Sequence, residues 1–121
     1  MAMIPININN NHWILCSIDN RLCKVSIYDS FVKEYPDLIK NLREFLSLKY
    51  IQLYGVSLTN HWSFSYIKNI PVQRNGYDCG VFICKFGEYL SKGSDNFTFL
   101  SKDMDFFRKN IILSILNNQI Y

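Results

Sequence analysis

The chain has 121 residues, 49% of them hydrophobic and 16% aromatic, and a formal net charge of +3. This is one domain with enough apolar surface for a core, which excludes a disordered chain. The basic residues are scattered, with no arginine-rich arm, and no apolar run approaches the roughly 20 residues of a membrane span. Neither nucleic acid nor a membrane is therefore an expected partner. The opening MAMIPININ is too short and uncharged for an export signal, so Cys16, Cys23, Cys79 and Cys84 are expected as reduced thiols of an intracellular protein. Their spacings lack the tight C-x2-C pairs of structural zinc, and no metal is expected.

In chain order, the apolar stretch 3–8 predicts a strand entry, where Pro5 suits an edge or a strand start. Residues 12–19 alternate as a strand, with Trp13, Leu15 and Ser17 on one face and Ile14, Cys16 and Ile18 on the other. Asp19-Asn20-Arg21 forms a turn, and 24–30 follows as the second arm of a hairpin, with Val25, Ile27 and Asp29 on one face. Pro36 fits the first turn of a helix whose apolar face is Leu38, Ile39, Leu42, Phe45 and Leu46. Residues 49–56 then read as a strand or its approach, and Gly55 with 57–61 as a loop. A further alternating strand covers 62–70.

The stretch 71–86, PVQRNGYDCGVFICKF, organises the chain. Asn75-Gly76 is a turn dipeptide, because glycine accepts positive φ without penalty. From Cys79 onward Phe82, Ile83, Phe86, Tyr89 and Leu90 recur at helical spacing, so Cys79 sits at a helix N-terminus. There the free N–H groups and the macrodipole favour a thiolate. Cys84, about 140° further round the helix, is expected in the core. The helix ends near Ser91 to Gly93, with Gly93 as cap. A loop with Phe97 and Phe99 leads to Ser101, which can N-cap a last helix. Met104, Phe107, Ile111 and Ile115 form one stripe of that helix, with Ile112 and Leu116 beside them. The order predicts an α+β fold with a mainly antiparallel sheet.

Thiol chemistry needs a base for the sulfur proton and a third group to orient that base. His12 opens one strand and Asp29 ends the next, so the hairpin brings both to one edge. The carboxylate could hold one imidazole nitrogen while the other faces Cys79, and Gln73 could fold back as an amide donor to an oxyanion. Plainer roles are open for each residue. Cys79 suits a buried core position, His12 a surface strand end, Asp29 the start of a turn, Gln73 a solvated loop and Trp13 the core. His61 reads as a loop residue with no acidic partner at hairpin distance.

IPIN at 4–7, then His12-Trp13, then Tyr28-Asp29-Ser30, then QRNGYDCGVF at 73–82 resemble the catalytic core of the ubiquitin-like protein protease family, the SUMO-specific (sentrin-specific) cysteine peptidases. The likeness runs from Ile4 to the last helix. Each motif is modestly specific, but their order and separation are highly so. The resemblance implies a papain-like α+β fold over a single catalytic domain, 1–121, that lacks the N-terminal part of the family domain. It also implies a His-Asp-Cys triad that cuts after the C-terminal Gly-Gly of a ubiquitin-like modifier. On that reading His12 is the base, Asp29 its orienting acid, Cys79 the nucleophile and Gln73 the oxyanion donor, and Trp13 lines the tunnel over the Gly-Gly tail. The expected partners are a SUMO-like modifier and its conjugates. The protein is expected to be a monomer in nucleus or cytoplasm, with no cofactor. Two other readings stand beside this one. The first is a catalytically weak modifier-binding remnant. The second is a related protease or acetyltransferase for another substrate, against which Asp29 argues, since those transferases tend to carry Glu there.

Overall fold

The computed structural model describes residues 1–120. Three strands open the chain, β1 (Ala2–Ile8), β2 (His12–Asp19) and β3 (Lys24–Tyr28). The helix α1 (Leu38–Tyr54) crosses over to β4 (Ser63–Ile67), followed by α2 (Cys79–Ser91), a short 3-10 turn at Ser101–Asp103 and α3 (Met104–Asn117). The sheet order is β1-β2-β3-β4. The first two pairings are antiparallel and β3 with β4 is parallel. A parallel pair needs a long crossover, which α1 supplies.

The β2–β3 turn is closed by Asp19, whose Oδ1 accepts from the backbone N–H groups of Arg21 (3.0 Å) and Leu22 (3.3 Å). Register then places Leu15 opposite Tyr28 and Cys16 opposite Ile27. Successive side chains point to opposite faces, so the hairpin feeds two cores. On one face Leu15 and Tyr28 pack with Phe82, Phe86 and Leu90 of α2 and with Phe99 and Met104. On the other, Cys16 and Val25 pack with Trp62, against which Leu42, Leu46 and Tyr50 of α1 lean. Both faces of β2 and β3 are thereby dry along most of their length, Trp13 and Lys24 excepted, as the alternating apolar sets on each face require.

The helix ends differ in part from expectation. Asp37 adopts a left-handed backbone (φ 63°) and separates Pro36 from the first helical residue, so the proline lies just outside α1. Residues 49–54 are helical and not a strand. The apolar row Leu42, Leu46, Tyr50 simply continues at four-residue steps, while Ile51, Leu53 and Tyr54 are exposed and only mimic strand alternation. Gly55 ends the helix in the left-handed region (φ 69°), its N–H bonded to the Ile51 carbonyl at 2.8 Å. Gly93 caps α2 as expected, with φ 76°. Its N–H reaches the Leu90 carbonyl and that of Ser94 reaches Tyr89, both at 3.0 Å, a Schellman pair. Ser101 does not cap α3: it lies inside the 3-10 turn, and its Oγ accepts from the Arg74 N–H (3.2 Å). The α3 stripe is buried at Met104 and half-buried at Phe107 and Ile111, but Ile112, Ile115 and Leu116 face solvent.

Candidate functional site

The site lies where β2 begins, β3 ends and α2 begins. Antiparallel pairing puts the start of β2 beside the end of β3, and the pair expected there is made: His12 Nε2 is 2.6 Å from Asp29 Oδ1. Both are buried, 6% and 2% exposed, which removes the water that would otherwise weaken the bond. Phe31 stacks on the imidazole, with ring centroids 4.6 Å apart and planes 28° apart. With Nε2 turned to the carboxylate, Nδ1 is the nitrogen left for another partner.

Asp29 also does what its plainer reading required. Its carbonyl accepts from Val32 N–H (2.8 Å) and its Oδ1 from Phe31 N–H (2.9 Å), so it starts the turn out of β3. Oδ2 accepts from Lys33 N–H (3.3 Å) and from the Tyr35 hydroxyl (2.6 Å). The carboxylate is thus held by four donors. Burial, with the Asp29 carboxylate beside it, pushes the Tyr35 hydroxyl above the ordinary phenol range, so it stays a donor.

Gln73 is buried, at 4% exposed, and not a solvated loop residue. Its backbone N–H donates to the Ser30 carbonyl (2.7 Å). Its Nε2 lies 2.6 Å from the Asn75 carbonyl and its Oε1 2.7 Å from Ser30 Oγ. A carbonyl can only accept, so Nε2 belongs on the Asn75 side, and Ser30 must then be the donor to Oε1. One hydrogen of Nε2 goes to Asn75, which leaves the second for another acceptor.

Cys79 is the first residue of α2, buried at 7% exposed, and opens on a cavity it shares with Trp13, Tyr77, Cys84, Arg108 and Ile111. Trp13, 41% exposed, forms part of the wall of that cavity and not the core. Cys84 also lines it and is exposed, against the expected core position. The turn before α2 is built by the Asn75 side chain, whose Oδ1 accepts from Tyr77 (3.1 Å) and Asp78 (3.0 Å) N–H groups. Gly76 does not use a positive φ, so the asparagine and not the glycine makes this turn. Asp78 precedes the thiol, and a bare carboxylate there would oppose a thiolate. It is not bare: Oδ1 accepts from Arg108 Nε (3.0 Å) and Nη2 (2.8 Å), and Oδ2 from Asn75 Nδ2 (2.7 Å).

The fold thus brings His12, Asp29, Gln73, Cys79 and Trp13 to one end of the sheet, while His61 sits exposed in the loop before β4. The sequence reading missed Ser30, Phe31, Tyr35 and Arg108. Ser30 stood next to Asp29 in the YDS motif; Arg108 gave no signal, because its partner is 30 residues away. Among the described residues no buried side-chain polar atom lacks a partner, and no group of three His, Cys, Asp or Glu side chains could hold a metal ion. No helix among them is long and apolar enough to cross a membrane.

Residues 1–118 match the family described as Ulp1 protease family, C-terminal catalytic domain. The chain is 28% identical over 121 residues to a sentrin-specific protease of Caenorhabditis elegans, covering 99% of this chain and 17% of that protein. It is 31% identical over 128 residues to human sentrin-specific protease 2, covering 99% of this chain and 20% of that protein. A solved C-terminal Ulp1 protease domain, in complex with SMT3, the yeast ortholog of SUMO, superposes with a TM-score of 0.79 at 26% identity, over 95% of this chain and 51% of that one. The chain therefore spans about half of that solved domain and about a fifth of those two relatives.

Proposed function

The chain belongs to the Ulp1 protease family, and from that premise we propose that it is a cysteine protease that cuts after the C-terminal Gly-Gly of a SUMO-like modifier. The observation that carries the reading is the buried 2.6 Å His12–Asp29 pair at the sheet end where α2 starts with Cys79. Asp29 fixes the imidazole by Nε2, and Nδ1 takes the proton of the Cys79 thiol. The thiolate attacks the terminal glycine carbonyl. The free hydrogen of Gln73 Nε2 and the Cys79 backbone N–H receive the oxyanion. The tetrahedral intermediate collapses to a thioester as the amine leaves with the proton held by His12, and water then releases the modifier and the thiol. Trp13, at the wall of the same cavity, suits a glycine tail because a residue with a Cβ does not pass under a flat indole. The four cysteines are free, which fits a reducing compartment inside the cell.

The test is a SUMO-like modifier ending in Gly-Gly and a carbon electrophile. It should form one covalent adduct, mapped to Cys79 by peptide mass, and none in Cys79→Ala or His12→Ala. An adduct on Cys84, or equal labelling in His12→Ala and loss in His61→Ala, would overturn the assignment.

A further inference from the structure

We propose that Tyr35 is a positioning residue for the His12–Asp29 pair, its hydroxyl holding the carboxylate by the oxygen that the imidazole does not use. The inference rests on the function proposed above. Asp29 has two side-chain partners, His12 Nε2 on Oδ1 and the Tyr35 hydroxyl on Oδ2, each at 2.6 Å. The other two donors are backbone N–H groups of the turn that Asp29 itself begins. Without the phenol, Oδ2 keeps only the longer 3.3 Å bond from the Lys33 N–H, which restrains rotation about χ2 less. With a phenol on the second oxygen, rotation breaks one short bond or the other.

Tyr35 is itself tied down from a different strand. Its backbone N–H donates to the Tyr66 hydroxyl, and that hydroxyl donates back to the Tyr35 carbonyl, both at 3.1 Å. Tyr66 belongs to β4, opposite Ile27 of β3 in the parallel ladder. The chain of contacts runs Tyr66, Tyr35, Asp29, His12, and carries the rigidity of the sheet edge into the imidazole. Other charged groups of this loop do not compete for Asp29. The Lys33 ammonium lies over the Phe31 ring at 5.2 Å, and Glu34 pairs with Lys68 at 3.7 Å.

The test uses the full chain, labelled with nitrogen-15, at pH 7. The chain has two histidines, so the imidazole nitrogens of His12 are assigned by comparison with His61→Gln. Tyr35→Phe, which keeps the ring, should move the His12 nitrogen resonances and leave those of His61 in place. It should also slow iodoacetamide alkylation of Cys79 by roughly three- to tenfold, the scale of the net contribution of one ordinary hydrogen bond. Tyr66→Phe should produce the same change in His12 at smaller amplitude, and serves if Tyr35→Phe fails to fold. Unchanged His12 resonances in a folded Tyr35→Phe overturn the proposal, as does slowed alkylation with His12 unmoved, which would mark a merely structural loss. His12→Ala separates the two ideas: if it leaves alkylation of Cys79 unchanged, the proposed base fails, while the resonances still decide the part played by Tyr35.

Discussion

Helices α1 and α2 lie on opposite faces of the same sheet, yet they are seated differently. Among the described residues α2 buries Cys79, Val81, Phe82, Phe86 and Leu90, and α1 buries none fully. Phe45, Leu48, Ile51 and Leu53 of α1 are exposed. The proposed nucleophile, Cys79, thus sits on the element locked into the ring cluster of Phe82, Phe86, Phe97 and Phe99. A nucleophile must hold its place to a fraction of an ångström, and only the α2 face offers that stiffness.

The largest expected effect breaks this comparison directly. Phe82→Ala should cost about 3–5 kcal/mol of stability, the usual range for a buried aromatic, because Phe82 is fully buried. Leu46→Ala, on a half-buried position of α1, should cost about 1–2 kcal/mol, below the fully buried range. Urea unfolding of the two variants decides it, and equal costs would mean that the two faces are equally bound.

A smaller effect isolates the site from the core beneath it. Ser30→Ala removes the hydroxyl that fixes Gln73 Oε1. Turnover of a Gly-Gly-linked reporter should fall about tenfold or more through the loosened oxyanion donor, while alkylation of Cys79, which forms no oxyanion, keeps its rate. A parallel loss in both assays would place Gln73 in thiol activation.

The smallest effect probes the α1 face by pH. Cys16, under α1 and wholly buried, has its thiol pushed by burial from 9.0 up to about 11. The unfolded chain releases this proton first, so the stability it contributes is complete below pH 9 and is lost as pH rises toward 11. Thermal melting at pH 8 and pH 10 should fall less steeply in Cys16→Ala than in the parent chain. Equal slopes would mean that water reaches the sheet beneath α1.

The parts of the fold set by near neighbours were legible in the residues. The β2–β3 hairpin, the start of α2 at Cys79 and its end at Gly93 follow from alternation, helical spacing and glycine geometry. The hairpin alone was enough to bring His12 to Asp29. What was not legible depends on partners far along the chain. The helical end of α1 carries Tyr50 onto Trp62, ring centroids 6.2 Å apart, a contact that the exposed alternation of Ile51 and Leu53 hid. Ser101 is taken by Arg74, 27 residues away, and so is lost to capping. Cys84 lies on the solvent side of a helix whose core face is filled by aromatic rings, a choice that spacing alone left open.

The clasp between Ser30 and Gln73 joins residues 43 apart, across the whole α1 crossover. Closing so long a loop costs chain entropy that no local contact repays in advance. During refolding the hairpin with its His12–Asp29 contact should form early, from near neighbours, whereas the proposed oxyanion donor Gln73 should wait for β4 to dock beside β3. Catalytic competence should therefore be the last property the chain recovers, returning after its helical signal and no sooner than the parallel ladder closes.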